Sequence, residues 1–485
     1  MTTQPWRRHS AQMLLGSVAL AVLSACSTQP VGPDYQVPDD AVLNQVQPAQ
    51  PLQSAADPSL ADQVSVAPLP PQWWKLYQDP ALDGLIDQAL QRNTDLRQAL
   101  ANLERVQALQ DEVGGGQKPG VTVGGGPGYG HVSGLSLLSP GTVPANAFTF
   151  SANAGISYQL DLFGQIRRAM EAAQAGTDAA QAAVDLARIN VAAGTARAYA
   201  DVCTSGLRMS VMQRSIDLQA QSAQVSQRLH DAGKAGSIDV QRARAQLEQL
   251  KADLPPLQAA HQNALFQLAV LTGAQPQGFP PAIAACDRAP QVQGMIPVGD
   301  GQALLRRRPD VRQAERQLAQ ATAQIGVATA DLYPKISLGL SAASAGHMTG
   351  FGHGDTFSWS LGPLISWSLP INGVVQARIA QSKASTKAAL AKFDGTVLTA
   401  LKETETALTN YARELDRNQR LQAARDQSAE VEKEARRLYA NGKTGYLEAL
   451  DAERMLAGAD AAKAASDAAL VNDQLSLFLA LGGGW

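Results

Sequence analysis

The stretch FTFSANAGISYQLDL, residues 148–162, alternates strictly. Phe148, Phe150, Ala152, Ala154, Ile156, Tyr158, Leu160 and Leu162 fall on one side, and Thr149, Ser151, Asn153, Gly155, Ser157, Gln159 and Asp161 on the other. A period of two predicts a strand with one apolar and one polar face. Residues 357–371 repeat the pattern, setting Phe357, Trp359, Leu361, Ile365, Trp367, Leu369 and Ile371 against Ser358, Ser360, Ser366 and Ser368, with a break at Pro363 and Leu364. Two further strands are predicted near residues 120–131 and 335–344. Lipid on one face and water on the other fits this alternation, and aromatic residues recur where a membrane interface would hold them. A water-soluble sandwich shows the same pattern, so the strands alone do not decide.

The N-terminus favours the membrane. Residues 1–25 read as a secretory signal: Arg7, Arg8 and His9 form a basic end, and the apolar run from Met13 to Leu23 is too short to span a bilayer. The run closes with Leu23-Ser24-Ala25-Cys26, a lipobox-like sequence that predicts cleavage before Cys26 and a lipid on its sulfur. The alternative is an ordinary cysteine just past a cleavage site. Residues 26–71, rich in Pro, Gln, Ala and Asp, lack helical or strand periodicity and read as an extended tether. No later stretch approaches the roughly 20 apolar residues of a transmembrane helix, so a mature chain that spans a membrane does so as a β-barrel.

An internal repeat organises the rest. Ser157-Tyr158-Gln159-Leu160 matches Ser366-Trp367-Ser368-Leu369, and Gly164 matches Gly373, at an offset of 209 residues. The segment from Arg228 to Gly236 matches Arg437 to Gly445 at the same offset. Earlier, Asp95 to Ala99 matches Asp310 to Ala314 and Pro119 matches Pro334, at an offset of 215. The difference of six must fall between Pro119 and Ser157, in the Gly-rich loop before Phe148. The predicted organisation is repeat 1 over 72–272, an equatorial linker over 273–300, repeat 2 over 301–474 and a C-terminal tail over 475–485. Each repeat reads as helix, strand, loop, strand, long helix, tight glycine turn, helix. Residues 164–232 contain no proline and are crowded with alanine, a helix of about 100 Å. Four strands cannot close a barrel with a lumen, since about eight are needed, so several chains must contribute.

A formal net charge of -3 gives no hint of a nucleic-acid partner. The six histidines form no metal-binding pair at helical spacing, and the Gly-rich runs lack the helix that a phosphate loop needs directly behind it. Arg306, Arg307 and Arg308, ahead of Pro309 and Asp310 at a helix start, are expected to pair with carboxylates. No catalytic site, metal or cofactor is expected, apart from the lipid on Cys26.

The chain resembles the TolC and OprM type of outer-membrane efflux proteins, in its NodT-like lipoprotein branch. Cys26 with Val31-Gly32-Pro33-Asp34-Tyr35, Trp73-Trp74-Lys75-Leu76-Tyr77, Asp79-Pro80-Ala81-Leu82 and Asp161-Leu162-Phe163-Gly164 carry the resemblance. So do Leu305 to Val311, Ala330 to Lys335, Gly445 to Ala452 and Gly482-Gly483-Gly484-Trp485. The resemblance implies an α+β membrane protein built as a homotrimer, with a twelve-stranded transmembrane β-barrel and a long helical barrel of twelve helices. It also implies an outer-membrane location, a periplasmic adaptor and an inner-membrane pump as partners, and export of small molecules. An outlet for protein secretion shares the fold, and a lipid-anchored envelope coiled coil without transport is the reading from another class.

Two groups of residues carry specific expectations. Gly233, Lys234 and Gly236, with Gly442, Lys443 and Gly445, should form the hairpin tips, because tight helix reversals need glycine's backbone freedom. By resemblance these tips receive the adaptor. Leu447, Glu448 and Asp451 lie within one helical turn of each other, and resemblance places Leu447 and Asp451 at a periplasmic constriction. By the repeat, Asp239 aligns with Glu448 and Arg242 with Asp451, so Arg242 to Asp451 and Asp239 to Tyr439 are the expected tethers of a closed gate. Cys203 and Cys286 reach similar heights along the hairpin, which leaves either an intramolecular disulfide or two free buried thiols.

Overall fold

The computed structural model describes residues 29–45, 52–131, 133, 140–277 and 279–483. The lipobox, Cys26 and the terminal Gly484 and Trp485 lie outside the described residues. In chain order the main elements are β1 (Val64–Ser65), α1 (Pro80–Arg92), α2 (Thr94–Gly115), β2 (Gly120–Gly130), β3 (Ala147–Leu160), α3 (Gln165–Asp231) and α4 (Ser237–Leu271). Then follow β4 (Ile296–Pro297), α5 (Gly301–Arg307), α6 (Pro309–Ala330), β5 (Lys335–His347), β6 (Phe357–Ser366), α7 (Val374–Ala440) and α8 (Tyr446–Ala480). The repeat holds to the residue: α2 and α6 each have 22 residues, α3 and α7 each 67, and α4 and α8 each 35. The change of offset falls across the strand pairs and their loops. Among the described residues no helix is long and apolar enough to cross a membrane.

The chain divides into two compact units that cut across the repeats. The first takes residues to Pro38, Glu104–Ala179 and Glu315–Lys392. It holds a four-stranded antiparallel sheet in the order β2-β3-β5-β6. Val121, Phe148, Ile156, Leu340, Trp359, Leu361 and Ile365 are exposed on it, whereas Phe150 is buried against Phe351 at 5.0 Å between ring centres. β6 is shorter than its alternation predicts and ends at Ser366, leaving Trp367, Leu369 and Ile371 beyond it. Its partner β5 begins at Lys335, opposite Ser366, so the ladder has nothing further to bond. Pro363 does not interrupt the strand, because β6 is an edge strand and a missing N–H is tolerated there. β3 likewise ends at Leu160, and Asp161 turns to cap α3, accepting from the N–H groups of Ile166 and Arg167 at 2.9 Å.

The segment that follows from residue 29 is not the loose tether that its composition suggests. Arg168 of α3 is buried and donates to the Val31 and Gly32 carbonyls at 3.1 and 3.2 Å, and to Asp34 and Glu171, both at 2.7 Å. Gly164, at φ +76°, lies where a Cβ would stand 2.5 Å from Pro30. Tyr35 donates to Glu315 at 3.1 Å and lies under the Arg316 guanidinium.

The second unit, Asp39–Leu103, Ala180–Ala314 and Phe393–Trp485, continues the strap along α7. The amides of Val42, Gln53 and Ser54 donate to the carboxylates of Asp394 and Glu405, Ser59 donates to Asp416, and Arg413 pairs with Asp57. β1 then pairs in parallel with β4. Such a strap needs no periodicity, because carboxylates on the helix, not an apolar stripe, hold its backbone. The core is centred on Trp73, fully buried and stacked on Phe478 at 4.6 Å, with Trp74, Tyr77, Ile86, Leu408 and Tyr411 around it. A Cβ on Gly483 would stand 2.6 Å from the Trp73 ring, which ties the Trp-Trp motif to the C-terminal glycines.

The repeats meet this core in the same way. Asn93 caps α2 through the amides of Asp95 and Leu96 and donates to the Leu271 carbonyl at 3.0 Å. At the equivalent place Arg308 donates to the Ala480 carbonyl at 2.9 Å while pairing with Asp310 and Glu403. Gly273 and Gly482, both left-handed, follow the two helix ends. Of the three consecutive arginines only Arg308 pairs with carboxylates; Arg307 donates to the Leu481 carbonyl and Arg306 is exposed. The tail also begins later than expected, because α8 continues through residue 475 to Ala480. Pro255 and Pro256 sit inside α4 on its exposed side, where the carbonyls of Lys251 and Ala252 lose their helical donors to solvent.

Replacing Arg168 with alanine should leave the Val31 and Gly32 carbonyls unpaired. We expect a loss of about 1–3 kcal/mol in denaturant unfolding of the detergent-solubilised protein, and faster proteolysis between Val31 and Pro38.

Candidate functional site

The tips of the two hairpins are built alike. Gly233 and Gly442 take φ of +70° and +69°. Behind each, the helix closes with a Schellman pattern: Lys234 and Lys443 donate to the Leu229 and Leu438 carbonyls at 2.8 and 2.9 Å. Gly236 and Gly445 then precede α4 and α8 in extended backbone. All six tip residues are exposed. His230 closes the first tip against the Ala235 carbonyl at 3.0 Å, and Asn441 closes the second against the Arg437 carbonyl at 2.6 Å.

Beyond the second tip, α8 presents two faces. Tyr446, Ala449 and Leu450 are buried with Tyr439 and Ala243, while Leu447, 57% exposed, faces solvent with Glu448 and Asp451. Ile238, the repeat-1 counterpart of Leu447, is 56% exposed. The expected tethers do not form within one chain. Arg242 lies 3.9 Å from Asp239, three residues earlier on the same helix face, and not against Asp451, which is exposed. The Tyr439 hydroxyl is buried without a hydrogen-bond partner, its ring tilted against Tyr446 at 5.4 Å. Burial raises the pKa of that hydroxyl; Ser226 nearby opposes the rise, and the negative charges of Asp239 and Glu453 add to it.

Sequence reasoning passed over what lies behind this face. Gln219 of α3 donates to the Ala243 carbonyl at 3.2 Å and to the Tyr446 hydroxyl at 3.3 Å, with Ser222 3.4 Å from the same oxygen. Glu453 occupies the next position of the buried stripe 446, 449, 450, and one of its oxygens is buried without a partner. A carboxylate at i+7 on an apolar stripe was the available signal.

Higher on the hairpin Cys203 and Cys286 are bonded, with Cα atoms 4.6 Å apart at a sequence separation of 83. Gly206, nearly one turn after Cys203, makes room, since a Cβ there would stand 2.0 Å from the Cys286 carbonyl oxygen. His261 of α4 bridges the same joint, with Nδ1 3.1 Å from the Val202 carbonyl and Nε2 3.1 Å from that of Ala284. Among the described residues no cluster of His, Cys, Asp and Glu is arranged to hold a metal ion.

The outer membrane efflux protein family model matches residues 85–274 and 301–483. Nodulation protein T of Rhizobium leguminosarum bv. viciae is 29% identical over 97% of this chain and 93% of its own length. The probable efflux pump outer membrane protein TtgC of Pseudomonas putida is 30% identical over 97% and 95%. Among solved structures the outer-membrane channel OprN superposes with a TM-score of 0.85 at 34% identity, covering 94% of this chain and 99% of that one. A four-stranded sheet with two open edges, joined to paired 67-residue helices, is thus the subunit fold of an outer-membrane channel and not of an enzyme. The chain belongs to the outer membrane efflux protein family.

The joint at Cys203 gives a direct test. Thiol labelling of the unfolded, unreduced protein should find Cys203 and Cys286 blocked, and reduction should lower stability by about 2–5 kcal/mol. Gly206→Ala should cost about 1–3 kcal/mol by displacing the linker.

Proposed function

We propose that the protein is the exit duct of a tripartite efflux system, a homotrimer anchored by a lipid on Cys26, that passes small molecules from a periplasmic adaptor and an inner-membrane pump to the outside. The observation that carries this reading is the sheet. Both its edges, β2 and β6, offer unpaired backbone, and its strands expose large apolar and aromatic side chains. A lone four-stranded sheet of that kind satisfies neither its hydrogen bonds in lipid nor its apolar face in water. Three copies related by rotation pair each β2 with the next β6 and give the twelve strands of a closed barrel. Membership of the efflux family, and relatives named as efflux-pump components, support small-molecule export over protein secretion. The glycine tips supply the docking surface for the adaptor. Leu447 and Asp451, on the exposed face of α8, would recur three times around the axis as an apolar and an acidic ring. Arg242, unpaired with Asp451 within one chain, is free in this reading to meet the Asp451 of a neighbouring copy.

Purified protein should run as a trimer and conduct ions in a planar bilayer; a lipid-anchored coiled coil without a lumen gives no conductance. Asp451→Ala should raise single-channel conductance and weaken block by divalent cations from the periplasmic side. Unchanged conductance and block in an intact trimer would place the constriction elsewhere. Cys26→Ala should abolish incorporation of labelled lipid, as read by intact mass, without preventing assembly.

A further inference from the structure

The two hairpins match in length and register but not in the polar groups that bind their helices together near the tips. In repeat 1, Arg244 of α4 donates to Gln227 of α3 at 2.9 Å, a bond across the hairpin. At the offset of 209 these positions become Glu453 of α8 and Arg436 of α7, a pair of opposite charge on which an ion pair would be expected. It is not formed. Arg436 instead donates to Gln221 of α3 at 3.1 Å and lies 3.8 Å from Glu432 on its own helix. Glu453 is left facing Glu432, with one carboxylate oxygen buried and unpartnered. Beside it is a cavity of about 20 Å³, lined by Gln219, Gln246, Glu432, Arg454 and Asp460 among others.

The other groups packed around Glu453 compensate its charge only in part. From α3 come the neutral Gln219 and Ser222, and from α7 come Tyr439, Glu432 and Arg436. From α4, Gln246 is engaged by Arg454 at 2.8 Å. Asp460 on α8 is held by Arg425 of α7 at 2.8 Å. Burial pushes the Glu453 carboxyl from its ordinary 4.5 up to about 7; Ser222 and Arg436 oppose the rise and Glu432 adds to it.

We propose that Glu453 is a proton-operated latch for the second hairpin: neutral, it leaves Arg436 bonded to Gln221; ionised, it draws Arg436 to itself and releases α7 from α3. One movement of one guanidinium breaks a link between the repeats and makes the cross-hairpin bond that repeat 1 has permanently. The link broken lies just above Tyr439 and Tyr446, so the release loosens α7 beside α8, the helix that carries Leu447 and Asp451. The consequence for the pore rests on the channel reading given above; the packing does not.

The direction follows from the raised pKa. Stability contributed by the neutral carboxyl is complete below about 4.5 and is lost as pH rises to about 7. Asp473, raised to about 6 by burial and by Glu414, has its own transition at lower pH, so the informative window is pH 6–8.5. In planar bilayers the wild-type trimer should open several-fold more often at pH 8.5 than at pH 6. Glu453→Gln should keep the low-pH behaviour throughout, and Gln221→Ala, which removes the catch, should show the high-pH behaviour throughout. Thermal unfolding gives an arm independent of transport: wild-type stability should fall across the window relative to Glu453→Gln. Conductance with the same pH profile in wild type and Glu453→Gln, or parallel melting curves, would overturn the latch. A trimer that never conducts but melts with the expected pH difference would overturn the channel reading and leave the latch standing.

Discussion

The core of the second unit hangs on two backbone carbonyls, those of Leu271 and Ala480, at the ends of the helices that return from the tips. A helix end leaves carbonyls without partners, and inside a core each needs a donor. Asn93 and Arg308 supply one donor each while organising the start of the next helix of their repeat. Asn93 thus ends one helix and begins another by itself, whereas Arg308 ends α8 and holds Asp310, whose carboxylate accepts from the Val311 amide at the start of α6. The left-handed glycines that follow, Gly273 and Gly482, bring backbone within contact of Arg92 and Arg308, where a Cβ would not fit. Trp73 and Phe478 then seal the second joint from water.

The two joints solve one problem with different chemistry. Asn93 is neutral and needs only amide partners, whereas Arg308 brings a charge into the core and with it Asp310 and Glu403. A buried cation with two carboxylates is costly to break and contributes little over an apolar substitute when intact. Its value is directional: a guanidinium bonds Ala480, Asp310 and Glu403 at once, which fixes α6, α7 and α8 to one another.

What the sequence revealed and what it concealed divide along physical lines. Strand alternation, proline-free alanine-rich helices and glycine turns are local patterns with fixed periods. They placed the four strands, the long hairpins and both tips, and the repeat offset confirmed each against its twin. Contacts made by single side chains over long separations have no period. The strap along α7 and Arg168 with its bonds to Val31, Gly32 and Asp34 left no trace of that kind. The end of β6 was misjudged because alternation continues to Ile371 after the partner strand has run out at Lys335. Cys203 and Cys286 were recognisable as neighbours only because helix rise converts residue count into height, and the count alone did not show the bond. Glu453 was legible in principle, as an acid on a buried stripe, but only once the register of that stripe was known.

The equality of the hairpins has a consequence for how such a chain can change length over evolutionary time. Each residue inserted into α3 or α7 would displace its tip by about 1.5 Å along the axis and turn every later side chain by about 100°. One insertion in α7 would therefore carry Tyr439 from its buried position to the exposed one that Ala440 holds. Insertions and deletions in the helices are confined to matched changes in both limbs of a hairpin and in both hairpins, close to whole multiples of the heptad. The loops between strands carry no such penalty. That is where this chain's two halves differ, by six residues, and it is where related chains should concentrate their variation in length.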